Sequence, residues 1–317
     1  MIKRMSTLLA ILLISALAVV AQDVDCGDLA EADCQILIDN NALMRDLSAF
    51  HFEAEMSMDV QSAASQDTLK LGMTGSGDLA MDAAAAKDID SMVKQLEAII
   101  ASLVGQMRFA MSIEGPGTAD IIEMSMLMRD NVFLFSGSML DELMGAPMDG
   151  MDWFGLDLTG AVADWLKQAG ISDESLQDTS EQAESAATIT RLDDAVLNGA
   201  PMAVFESTMA LDLDALMTAG EADMGELLDS LGMELPAIAG EVTSTNYVGL
   251  DDGYTHRQEM SGAFNMGAFD MLGTTGDLQA TMSLVIDLSA FAEPVAVELP
   301  EDVPAFPLAM MLTMGSQ

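Results

Sequence analysis

Residues able to do chemistry are few in this chain. Among 317 residues there are two histidines, His51 and His256, and two cysteines, Cys26 and Cys34. Both histidines lie in stretches that alternate like strands rather than in loops, and no G-x-S-x-G, H-E-x-x-H or P-loop pattern accompanies them. The acidic pairs Asp193-Asp194 and Asp251-Asp252 have the composition of turns and helix caps. The D-x-D-x-D-G spacing of a calcium loop is missing. These observations predict no catalytic residue, no cofactor and no metal site, and they read the acids as a solvated face.

Sulfur is the unusual element. The chain holds 29 methionines, and in "IIEMSMLMRDNVFLF" (121–135) Met124, Met126 and Met128 occupy every second position, which puts them on one face of a strand. Strands favour β-branched and aromatic side chains instead. The pattern recurs. "AFHFEAEMSMDVQ" sets Phe50, Phe52, Met56 and Met58 against His51, Glu53, Glu55 and Asp59. "TLKLGMTGSGDLAM" contributes Leu71 and Met73, and "MRFAMSI" contributes Met107, Phe109 and Met111. Later strands add Met260 and Phe264, then Met282, Leu284 and Ile286.

Three readings of this stripe stand side by side. It is core, as apolar stripes usually are; or part of it walls a cavity; or its thioethers bind Cu(I). A jigsaw core prefers Leu, Ile and Val, whose rotamers are better defined. Methionine, with three rotatable bonds and a polarizable sulfur, adapts to varying apolar partners. Copper ligands must converge on one point, whereas these are spread along strands whose other face is acidic.

The elements around the stripe follow from period and breakers. Alternation predicts strands within 49–61, 68–81, 107–113 and 121–135, with a turn at Asp130-Asn131. Ile89, Met92, Val93, Leu96, Ile99, Ile100 and Leu103 fit an amphipathic helix that needs an apolar surface to cover. Helical spacing also marks 37–47, 160–170 and 213–231. The acidic, Ser-rich stretch 172–187 reads as a joint between two halves, 199–216 as a strand leading into the helix, 241–264 as a hairpin around Asp251-Asp252-Gly253, and 278–291 as the last long strand. Four prolines in 293–314 restrict the tail to extended or edge structure. The sum is eight to ten antiparallel strands with three or four inserted helices, an α+β fold.

Lys3, Arg4, the apolar run 7–20 and small residues at Val19 and Ala21 have the three parts of a secretory leader cleaved after Ala21. An uncleaved anchor is the alternative. Val24 and Asp25 before Cys26 do not fit a lipid-attachment signal. An exported chain with two cysteines suggests one disulfide. Eight residues of helix rise about 12 Å, too far for bonded cysteines. A bond therefore needs a turn within "CGDLAEADC", at Gly27 or Asp33; two separate thiols are the alternative. With 52 acids against 11 Lys and Arg, the net charge is −41. Such a chain repels nucleic acid and anionic membrane surfaces, yet 50% hydrophobic residues supply a core that a disordered acidic tail lacks.

The order of elements resembles the LolA/LppX-like family of exported lipid carriers. The resemblance rests on "LNGAPMAVFESTMALDLDALM", on the hairpin "STNYVGLDDGYTHRQEMSGAF" and on the closing "TMSLVIDLSAFAEPVAVELPEDV", and covers most of 40–305. Tyr247 stands where the family's hairpin usually has Trp, and the lipobox cysteine of several members is absent. The resemblance implies a strongly curved antiparallel half-barrel with helices on its concave face and acyl chains between sheet and helices. The implied layout is a leader (1–21), a helical segment with the cysteines (22–48), the half-barrel (49–306) and a tail (307–317). The implied partners are a hydrophobic ligand or acyl chain and a donor or acceptor in a membrane or lipoprotein. The leading reading is a periplasmic or extracellular carrier or sensor that holds a lipid or another hydrophobic molecule without chemistry. The contrasting reading is a structural or interaction protein of the cell surface with a filled core.

Overall fold

The computed structural model describes residues 26–62, 68–82, 91–115, 118–136, 152–159, 188–212, 238–266, 278–300, 303 and 305–307. The stretches read from sequence as a leader (1–21), as helices (160–170 and 213–231) and as a joint (172–187) lie outside these residues. The described elements are helix α1 (Glu31–Arg45) and helix α2 (Met92–Ser102), and the strands β1 (Ala49–Ser62), β2 (Thr68–Ala80), β3 (Val104–Gly115), β4 (Thr118–Arg129), β5 (Val132–Ser136), β6 (Phe154–Asp157), β7 (Thr188–Arg191), β8 (Ala195–Leu197), β9 (Ala200–Asp212), β10 (Ile238–Gly249), β11 (Thr255–Met266), β12 (Leu278–Ser289) and β13 (Ala305–Pro307).

All thirteen strands join one open sheet in the order β13-β6-β5-β4-β3-β2-β1-β12-β11-β10-β9-β7, with β8 paired to β9. Every pairing is antiparallel except β13 on β6. The strand number exceeds the expected eight to ten because β7, β8 and β13 span only 3–4 residues, too few for alternation to mark them. The long strands fall where alternation places them, and Pro307 sits in an edge strand, as its missing N–H requires.

Local chemistry makes the turns. Asp130 and Asn131 have φ of 54° and 64°, the left-handed pair of a two-residue hairpin between β4 and β5. Gly253, at φ 76°, turns β10 into β11. Bending devices suit a sheet of this size: β2 carries Gly72, Gly75 and Gly77, and the β10–β11 register slips between Tyr247 and Val248. These features are consistent with a curved half-barrel.

Cys26 and Cys34 are bonded, with Cα atoms 5.4 Å apart. Helix α1 begins only at Glu31, and Gly27, at φ 48°, turns the chain before it. Residues Leu29, Ile36 and Leu37 at this end pack on Ala203, Phe205 and Val248 of β9 and β10. Helix α2 starts at Ser91, whose Oγ accepts from the Lys94 N–H at 3.3 Å. It ends at Ser102, whose Oγ accepts from the Asp82 N–H at 3.0 Å, next to the end of β2. After β12 the chain crosses the sheet end: the Ala292 N–H donates to Ala49 O, and Arg129 donates to Val297 O, before β13 meets β6.

Candidate ligand-binding face

The strand register decides which side chains share a face. Met56 is opposite Met73 and Leu284, Met73 opposite Met111, and Leu284 opposite Met260. Five neighbouring strands thus present an unbroken line, Met111-Met73-Met56-Leu284-Met260. One step along, Leu71, Met58 and Met282 form a parallel line. Phe50, Phe52, Phe109, Met124, Phe264 and Ile286 lie on the same face by alternation. Most of these side chains are half-buried.

Burial divides the stripe. Met107, Met126 and Met128 are only 5%, 8% and 2% exposed, and they pack with Phe52, Leu79, Phe109, Phe133 and Phe135. This end is filled core. Phe264 packs in a second cluster with Val60, Leu278 and Ala280. Two glycines make room for the rings: a Cβ at Gly75 would lie 2.7 Å from Cδ1 of Phe109, and one at Gly77 would lie 2.9 Å from Cε1 of Phe52.

At the far end α1 is tied to the β10–β11 turn, where Thr255 Oγ1 donates to Asn40 Oδ1 and Asn40 Nδ2 donates to Gly253 O. Arg191 reaches Asp33 of α1 and lies over the Phe205 ring. Periodicity could not reveal this anchor, because Arg191 sits in a strand of only 4 residues.

The opposite face is polar. Arg257 makes a two-pronged bond to Asp287, Nε to Oδ1 at 2.7 Å and Nη2 to Oδ2 at 2.9 Å, and this bond chiefly raises its pKa. Burial, then the neighbouring Glu259 that accepts from the hydroxyl at 3.2 Å, push the Tyr247 phenol up. A groove of about 950 Å³ runs over this face, lined among others by Glu53, Arg108, Glu123, Arg257 and Asp287. Both histidines are held by carboxylates: His51 Nδ1 lies 2.7 Å from Asp78, and His256 Nε2 lies 2.9 Å from Asp252. Gln106 first, then His51, hold the Asp78 carboxyl below its usual range. Among the described residues no group of His, Cys, Asp or Glu is arranged to hold a metal ion, and no helix is long and apolar enough to cross a membrane.

No protein-family model matches the chain, and no curated protein matches it. Among solved structures it is similar to LprF from Mycobacterium bovis, at 10% identity over 86% of this chain and 99% of that one, with a TM-score of 0.40. It is also similar to the Mycobacterium tuberculosis lipoprotein LppX, at 10% identity over 85% and 100%, with a TM-score of 0.35. A DUF1329 family protein from Desulfovibrio piger matches at 11% identity over 86% and 96%, with a TM-score of 0.25.

Proposed function

We infer that this protein is an exported carrier that holds a lipid or another hydrophobic molecule against the methionine face of its sheet, without chemistry. One observation carries the reading: Met111, Met73, Met56, Leu284 and Met260 form a continuous apolar line over five strands and remain half-buried. Contiguous apolar surface left open to solvent marks a binding site. The motifs of the second half and the leader-like start support the same reading.

The energetics suffice. Burying a methylene is worth about 0.8 kcal/mol, so an acyl chain of about a dozen methylenes reaches micromolar affinity after the cost of association. The line of methionines repacks around ligands of different shape, which sets no sharp specificity.

A second reading, a surface protein with a filled core, draws on the buried trio Met107, Met126 and Met128. Native mass spectrometry of protein purified from its own source, with uptake of a fluorescent fatty acid, separates the two. A carrier brings a lipid with it or takes up the probe. Protein that does neither belongs to the second class.

A further inference from the structure

The methionines of the apolar face fall into two populations. Met107, Met126 and Met128 are sealed beneath phenylalanine rings. Met58, Met124, Met282 and the four residues Met111, Met73, Met56 and Met260 are half-buried, and these four stand in one line with Leu284. A thioether within reach of solvent is open to oxidation, which turns a flexible apolar side chain into a polar one.

We propose that the line Met111-Met73-Met56-Met260 is a modification site for peroxides and hypohalous acids, through which an oxidant turns the face from holding a hydrophobic molecule to releasing it. The release half of this proposal rests on the carrier reading; the site itself does not. With hydrogen peroxide, a sulfur lone pair attacks one peroxide oxygen. The S–O bond forms as the O–O bond breaks, and the departing oxygen takes both protons and leaves as water. Sulfur is oxidised by two electrons and the peroxide is reduced by two.

Position makes the change collective. Directly opposed residues on neighbouring strands have Cβ atoms about 4.5–5.5 Å apart, so sulfoxides at Met111, Met73 and Met56 form one hydrated strip across three strands. The flanking Leu284, Leu71 and Ile122 offer no hydrogen-bond donor to a sulfoxide oxygen. A bound acyl chain would then leave those oxygens unpaired, and unpaired buried polar groups are costly. The buried trio keeps its packing, so the sheet stays folded while the face changes character.

The test is peptide mass mapping of the purified full chain during exposure to hydrogen peroxide, with a fluorescent fatty acid as the binding probe. Sulfoxide is expected at Met56, Met73, Met111 and Met260 at least about tenfold faster than at Met107, Met126 and Met128, which must wait for local opening. Probe binding should weaken about tenfold or more in the oxidised protein, since the sulfoxides carry the desolvation cost. The variant with Met56→Leu, Met73→Leu, Met111→Leu and Met260→Leu, and with Met58→Leu, Met124→Leu and Met282→Leu at the other half-buried methionines of the face, close to volume-conserving, should bind the probe and ignore peroxide. Equal oxidation rates in the two populations overturn the site. Unchanged probe binding after oxidation, or a leucine variant that still loses its binding to peroxide, overturns the switch. An untreated parent that takes up no probe sinks the carrier reading, and ordered oxidation in that protein would still establish the site.

Discussion

Nε of Arg191, in β7, donates to Oδ1 of Asp33, in α1, at 3.2 Å across 158 positions of chain. The same guanidinium donates to Val204 O, pairs with Asp194 and sits 5.2 Å from the Phe205 ring centroid. At 19% and 28% side-chain exposure, Arg191 and Asp33 are shielded enough for the pair to matter. Arg191→Ala is expected to cost about 2 kcal/mol, from a charged hydrogen bond and a cation–π contact. Urea unfolding of the two single variants and the double variant with Asp33→Asn checks this. A coupling near zero would show that the pair does not hold α1 on the sheet.

Methionines on one face should differ by depth. Met128→Ala removes a side chain 2% exposed inside a phenylalanine cluster and is expected to cost about 2–5 kcal/mol. Met73→Ala, at a half-buried position, is expected to cost about 1 kcal/mol and to act mainly on probe binding. Similar losses from both would mean that the face is uniformly packed.

Acid should find Asp78. Its hydrogen bonds from Gln106 and with His51 lower its pKa from 3.8 in the folded chain. The unfolded state then binds the proton more readily, so the stability Asp78 contributes is present above about pH 4 and is lost as pH falls through the folded value. Parent protein should therefore lose more stability than Asp78→Asn on titration below about pH 4. Parallel denaturation curves for the two proteins across that range would contradict the assignment.

Salt should stabilise the fold. With a net charge of −41, self-repulsion opposes the compact state in dilute buffer. The Debye length shrinks from about 30 Å at 0.01 M to about 3 Å at 1 M, so the melting temperature is expected to climb with sodium chloride. Millimolar calcium should add nothing beyond its ionic strength, given that the described residues hold no metal-ready cluster. A thermal scan over both salts would expose a calcium-specific gain, and a flat sodium chloride response would mean the charges are already paired.

Much of the architecture was legible. The period-two stretches became β1 to β4, β9 to β12 and the two hairpins, because alternation, Asp130-Asn131 and Gly253 each encode a local choice. Helix α2 was expected from 89 to 103 and spans Met92–Ser102. Strands of three or four residues carry too little pattern, and the parallel pairing of β13 with β6 involves no turn to announce it. For the candidate site, alternation told which residues share a face. Only register put Met73 between Met56 and Met111, and only packing sank Met128 while leaving Met73 open.

The seam between β1 and β12 sets an order of events. Residues 51–62 wait for partners at 278–289, most of the chain away, although β1 can pair with β2 at once. Until β12 arrives, β1 presents a bare edge of unpaired N–H and C=O groups, the kind that recruits other chains. Contacts so distant in sequence are slow to form, on the scale of milliseconds to seconds for β-rich domains. A chain that pairs β1 with β2 before β12 is made would carry one half of the sheet with its central edge unprotected, the arrangement most open to association with other chains. The acidic residues Glu53, Glu55 and Asp59 on β1 set like charges along that waiting edge, which keeps two such half-sheets from zipping together before their own last strand closes the gap.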